Sequence, residues 1–221
     1  MDSNGPPDIV VVAGGAPIER VPAHVGAARV IAADSGVALA TALGLPVDVA
    51  VGDFDSLDAP LVARLDELAG SVRRHDRDKD ATDLELALSI AAESGSARVL
   101  VFGLEGGRPD HALANLLVAA SAAFAGLEIE LALGLGRAWV VRDQLSGSWP
   151  EGTTLSIIPV HGDATVSVEG VRWPLDRALL SAGTTRGVSN ATTGTSSTVT
   201  VHDGVAICMI PTETPDPESH P

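Results

Sequence analysis

Lysine is almost missing from this chain. Lys79 stands alone among bases that are otherwise arginine, and tyrosine is absent, leaving an aromatic content of 3% over 221 residues. So few ring faces exclude the stacking platform on which a single-strand nucleic-acid binder lays its bases. Positive charge is scarce as well: 29 acids against 14 bases leave a formal charge of -15. That field repels nucleic acid and anionic membranes, so any phosphate ligand must be held by local contacts. The single cysteine, Cys208 in "VAICMI", has no internal partner for a disulfide and reads as core filling in a reducing compartment. The opening "MDSNGPPDIVVVAGG" lacks the basic n-region of a secretory leader, and no apolar run is long enough to span a bilayer. The expected location is the cytoplasm.

What is present is a regular alternation. Four β-branched runs, "DIVVVAGG", "ARVIAADSG", "VDVAVGDFD" and "ARVLVFGLEGG", are followed by Ala/Leu-rich segments of helical spacing, among them "VALATALGL", "APLVARLDELAG" and "DLELALSIAAESG". Strands apolar on both faces, interleaved with helices, predict a mostly parallel α/β sheet with helices on both sides. Each strand run ends in Gly or Asp, at the carboxyl edge where such sheets bind ligands. Beyond "GRAWVVRDQLSGSWPEG" the texture changes to short β-rich stretches, "TTLSIIPV", "ATVSVEGVRW", "TTRGVSN" and "SSTVTVHDGVAICMI". These predict an antiparallel β-sandwich. The expected divisions are an α/β domain over 1–147, a sandwich over 148–211 and a disordered acidic, proline-rich tail over 212–221.

Three acidic or glycine-rich stretches carry the chemistry. In "VGDFDSLD" an extended path would set Asp53 and Asp55 on one side and Phe54 on the other, pointing inward. Two like charges so close are costly unless a cation neutralises them, and hard oxygen ligands suit Mg²⁺ against a polyphosphate. The competing reading makes Asp55, Ser56 or Asp58 the cap of the helix that begins near Pro60. In "HDRDKDATDLELAL" a helix is expected from about Ala81, placing Asp80 and Asp83 at its start. Thr82 and Glu85 there form a T-x-x-E capping pattern, and Lys79 is either a phosphate clamp or the partner of a neighbouring acid.

In "GLEGGRPDHALANLL", Gly106 and Gly107 allow close backbone approach, Arg108 offers a fork for phosphate oxygens, and a helix starts after Pro109. His111 and Asn115, four apart, share one of its faces beside Asp110. All three stretches fall at strand ends or the helix starts after them, so the fold would gather them into one crevice. A carboxylate metal site with basic clamps is what transfer from a nucleoside triphosphate needs. There is no GxxxxGK[ST], and "VVAGGA" lacks the spacing of a dinucleotide fingerprint, which sets aside the P-loop and redox readings.

The ordered set "ADSG", "GDFDS", "KDATDLELAL", "GGRPDHALAN" and "GVSN" resembles the thiamine pyrophosphokinase family, from Gly14 to about Ile210. The resemblance implies an ATP-binding α/β domain, a thiamine-binding β-sandwich, and a homodimer with substrate sites at the subunit interface. It also implies Mg²⁺-dependent transfer of the β,γ-diphosphoryl group of ATP to thiamine, releasing AMP. Carried onto this chain, Asp53, Asp55 and Asp80 are the implied magnesium residues, with Asp83 beside them and Asp83 or Asp110 as candidate proton acceptors. Gly14, Gly15, Asp34, Lys79, Thr82, Arg108, His111 and Asn115 are implied on the nucleotide side, with Ser35 bordering the same crevice, and Ser189 and Asn190 on the thiamine side. Two departures stand out: a serine at position 35 where glycine is expected, and no aromatic residue close after "SN". Trp173 could stack on a substrate, although a tryptophan at a sandwich strand is expected in the core. A diphosphokinase acting on another alcohol, such as a hydroxymethylpterin, and a non-catalytic module binding thiamine diphosphate or nucleotide remain as alternatives.

Overall fold

The computed structural model describes residues 1, 5–16, 25–26, 28–78, 80–95, 98–106, 108–194 and 196–212. The chain divides into two compact units, Asp2–Ala132 and Leu133–Pro221 together with Met1.

In the first unit the four expected runs form β1 (Ile9–Val12), β2 (Arg29–Ala33), β3 (Val47–Gly52) and β5 (Arg98–Phe102), joined by β4 (Ala69–Arg74) and β6 (Glu128–Leu133). They run parallel in the order β4-β3-β2-β1-β5-β6. The order reverses beside β1, and a reversal of this kind opens a crevice at the carboxyl ends of the strands. Between the strands lie α1 (Gly36–Ala42), α2 (Ala59–Ala63), α3 (Leu65–Leu68), α4 (Asp83–Glu93) and α5 (Pro109–Ala119). Val10, Val12, Val30, Ala32, Val37, Ala50, Leu65, Leu100 and Phe102 form one buried cluster. Burying a side chain of the Val, Leu or Phe type contributes about 1.5–3 kcal/mol. Helix α1 approaches β1 so closely that a Cβ on Gly36 would lie 2.0 Å from the Val12 carbonyl oxygen.

The second unit consists of β7 (Gly136–Val141), β8 (Gln144–Gly147), β9 (Thr154–Pro159), β10 (Ala164–Glu169), β11 (Leu175–Leu180), β12 (Asn190–Ala191), β13 (Ser197–Asp203) and β14 (Ala206–Pro211). Strands β12-β9-β14-β7 make one antiparallel layer and β11-β10-β13-β8 the other. Their inner faces share a core of Trp139, Leu145, Trp149, Leu155, Ile157, Val166, Val168, Val199 and Cys208. Two sheets closing on one apolar layer constitute a β-sandwich.

Some details differ from the expected layout. The two units part at Ala132/Leu133 rather than at 147/148, because "GRAWVV" and "QLSG" are strands paired with β14 and β13. "TTRGVSN" is a turn, with only Asn190 in a strand: Val188 N–H donates to the Thr185 carbonyl at 3.0 Å, and Ser189 adopts φ 60°. Trp173 is not core but 55% exposed. Of the expected tail, residues 213–221 lie outside those described.

Candidate active site

A cleft of about 500 Å³ opens at the carboxyl edge of the parallel sheet, lined by the segments that follow β1, β2, β3 and β5 and by the start of α4. Its acidic wall begins at Gly52, the last residue of β3, where φ is 147° and an added Cβ would lie 3.2 Å from the Asp34 backbone. Only glycine accepts that approach cheaply. The chain then turns rather than staying extended. Phe54 takes φ 61° and is buried, the Arg74 guanidinium lies 5.4 Å above its ring, and Asp55 N–H donates to Asp53 Oδ1 at 3.0 Å. Asp53 and Asp55 therefore share a side through this turn, with Phe54 as its buried anchor.

Asp34 joins them from the end of β2. One oxygen from each of Asp34, Asp53 and Asp55 can be chosen so that all lie within 4.8 Å of one another. Asp34 is 8% exposed, and its Oδ1 is buried without a hydrogen-bond partner. Burial raises its carboxyl above the ordinary aspartate value, and the charges of Asp83 and Asp53 push the same way. Hydrogen bonds from Ser56 and the Ser35 backbone oppose the shift only in part. A buried carboxylate with one oxygen short of a donor, beside two further carboxylates, offers the hard oxygen ligands that suit a divalent cation. Asp80 is exposed and lies outside both this group and the cleft lining.

The helix starts complete the walls. Thr82 caps α4, its Oγ1 accepting from Glu85 N–H at 3.2 Å, which sets Thr82 and Asp83 in the lining. The expected helix start at Ala81 thus falls two residues later, at Asp83. Asp58 caps α2 by accepting from Leu61 N–H at 3.1 Å. That leaves Asp55 and Ser56 out of the capping role.

On the opposite side, Arg108 precedes α5 and pairs with Asp110 through Nε to Oδ1 at 3.2 Å and Nη2 to Oδ2 at 2.5 Å. The hydrogen bonds from Arg108 hold the Asp110 carboxyl down at about 2. Asn115 donates through Nδ2 to the Leu104 carbonyl at 3.0 Å, tying the loop after β5 to the helix. Gly14, Gly15, Ser35, Arg108, His111 and Asn115 all line the cleft. Ser35 donates its hydroxyl to the Gly14 carbonyl at 3.2 Å, joining the ends of β1 and β2. Gly107 and Lys79 lie outside the described residues.

One charged lining residue was not singled out from the sequence. Arg77 stands in the cleft wall with Nε 3.1 Å from Asp55 Oδ2. Its only signal in the sequence is a position inside a run of mixed charge, which ordinarily marks a solvated face.

Ser189 and Asn190 belong to the second unit. Asn190 is buried and clamps Trp173, donating through Nδ2 to its carbonyl at 2.7 Å while Oδ1 accepts its N–H at 3.1 Å. These bonds fix the Trp173 backbone; the residue is exposed, with the Arg172 guanidinium 5.0 Å from its ring centroid.

Residues 25–131 match the thiamin pyrophosphokinase catalytic domain, and residues 141–206 match the thiamin pyrophosphokinase vitamin B1 binding domain. A Bacillus subtilis protein named thiamine pyrophosphokinase is 28% identical over 195 residues, covering 83% of this chain and 87% of its own length. The crystal structure of thiamine pyrophosphokinase from Bacillus subtilis superposes with a TM-score of 0.79 at 26% identity, over 93% of this chain and 99% of that one. Yeast thiamin pyrophosphokinase gives a TM-score of 0.71 over 96% of this chain and 90% of that one, a likeness of fold at 13% identity.

Proposed function

Because the chain belongs to the thiamin pyrophosphokinase family, both of whose domains it carries, we propose that it transfers the β,γ-diphosphoryl group of ATP to the hydroxyl of thiamine with Mg²⁺ as cofactor. The observation that carries this reading is the meeting of Asp34, Asp53 and Asp55 in a cleft whose other wall presents Arg108. Asp53 and Asp55 hold the cation, with Asp34 as the third carboxylate in the place first expected for Asp80. When bound, the Mg²⁺ neutralises phosphoryl charge and fixes the fold of the triphosphate.

In the reaction, the thiamine hydroxyl oxygen bonds to the β-phosphorus. The bond from that phosphorus to the oxygen bridging to the α-phosphorus breaks, and its electron pair leaves with AMP. Arg108 steadies the transferred oxygens, and Asp110 orients Arg108; a carboxyl held at about 2 is too weak a base near neutrality to take the hydroxyl proton. Asp83, in the cleft wall, is the remaining acceptor. Gly14, Gly15, Thr82, His111 and Asn115 border the nucleotide, and Lys79 is kept as a second clamp on sequence grounds.

Thiamine is assigned to the second unit, where Ser189 offers a hydroxyl and the exposed Trp173 ring a face for the cationic thiazolium or the pyrimidine. Asn190 serves this by holding Trp173. A homodimer with substrate sites at the subunit interface belongs to the same proposal. It is supported by α5, which buries only Ala119 and leaves Leu113 60% exposed, an apolar helix face of the sort that partners cover. No helix among the described residues is long and apolar enough to cross a membrane, and the proposed location is the cytoplasm.

The deciding experiment is incubation with ATP, Mg²⁺ and thiamine, with nucleotide and thiamine products resolved by chromatography. Thiamine-dependent AMP and thiamine diphosphate are expected, and Asp53→Asn should lower turnover by about a hundredfold or more. ADP in place of AMP, or a fully active variant, would refute the reading. AMP release with a hydroxymethylpterin but not thiamine would keep the site and replace the substrate.

A further inference from the structure

Asp55 has both oxygens in use. Oδ1 accepts the Ser56 hydroxyl at 3.2 Å, and Oδ2 faces Arg77 Nε at 3.1 Å. Asp55 also supplies an oxygen to the carboxylate group. A guanidinium and a divalent cation therefore compete for one carboxylate. The Arg77 side chain is 80% exposed and Asp55 43%, so the pair gains little from burial and is inexpensive to break. A doubly charged ion among the three carboxylates would outbid the single charge on Asp55 and repel the guanidinium beside it. Arg77 lines the same cleft, and once displaced it has the planar fork that suits phosphate oxygens.

We propose that Arg77 is a counter-ion that changes partners, bound to Asp55 in the metal-free protein and to the triphosphate once the cation and nucleotide arrive. This rests on the proposed function, since it needs the carboxylates to hold a cation and the cleft to hold a polyphosphate. It gives the unliganded site a way to offset its own repulsion, and it couples metal binding to nucleotide capture through one side chain.

The test is calorimetric titration of Mn²⁺ into the full chain without nucleotide, comparing the parent protein with Arg77→Gln, Arg77→Lys and Asp53→Asn, together with steady-state kinetics on ATP. Arg77→Gln should bind the metal about two- to five-fold more tightly, the range set by an exposed ion pair. Its KM for ATP should rise, and Arg77→Lys should restore both values toward the parent. Opposite movement of metal and nucleotide affinity is something a merely structural arginine would not produce. Unchanged or weaker metal binding in Arg77→Gln, or an unchanged KM, overturns the proposal while leaving the site reading intact. A parent protein with no metal binding that Asp53→Asn removes would overturn the site reading, and this inference with it.

Discussion

Asp34 is held where its carboxylate is least comfortable: buried, short of one hydrogen bond and beside further acids. Its carboxyl is raised from 3.8, mainly by burial. Below that ordinary value both folded and unfolded chains carry the proton. As pH rises, the unfolded chain releases it first, so the stability tied to this residue is lost as pH climbs through the folded value. Asp34→Asn should therefore be more stable than the parent at neutral pH without divalent metal, by about 1 kcal/mol or roughly 2–4 °C in melting temperature. The gain should shrink as pH falls through the carboxylate range. Melting curves across pH give the check, and a variant less stable at neutral pH would show that Asp34 sits there without penalty.

At the scale of elements, the cleft depends on where helices start. Thr82 closes the first turn of α4 by accepting the Glu85 amide, and Thr82→Ala should cost about 1 kcal/mol in urea unfolding; a loss below a few tenths would mean that packing alone fixes the turn. This cap was legible in the sequence as T-x-x-E. So were β1, β2, β3 and β5, because strands buried on both faces leave unbroken β-branched runs ending in Gly or Asp. Strand β4 was not, since "AGSVRR" lies at the sheet edge with only Ala69 buried and carries the polar texture of a loop. Strand β11 is likewise an edge with mixed burial. The apolar periodicity of "APLVARLDEL" runs on across Arg64, which hid the break between α2 and α3. In the candidate site, the shared side of Asp53 and Asp55 was legible from their spacing, and both line the cleft. That Asp34 lies beside them and Asp80 does not was beyond a one-dimensional reading, because the ends of β2 and β3 meet only through strand pairing. Arg77 was hidden by its run of mixed charge, which ordinarily marks a solvated face.

For the molecule as a whole, the two units have separate cores and separate chemistry: carboxylates and arginines in the first, an exposed tryptophan whose backbone is clamped by a buried amide in the second. Self-repulsion at a net charge of -15 works against compactness in both. The distribution of a few residue types has a further, practical consequence. All described helices lie between Gly36 and Phe124, whereas Trp139, Trp149, Trp173 and Cys208 all lie in the sandwich. Helical circular dichroism and indole emission are thus two separate windows, each opening on one half of the chain. Cys208 is fully buried, with its thiol pushed up to about 12 by desolvation, so it should resist a thiol reagent until the sandwich opens. During urea unfolding, labelling of Cys208 should follow the tryptophan emission and not the helical signal wherever the two diverge; rapid labelling in native buffer would contradict its burial. The lone sulfur buried by the sandwich is in effect a chemical clock, one that times the opening of the sandwich half without any engineered probe.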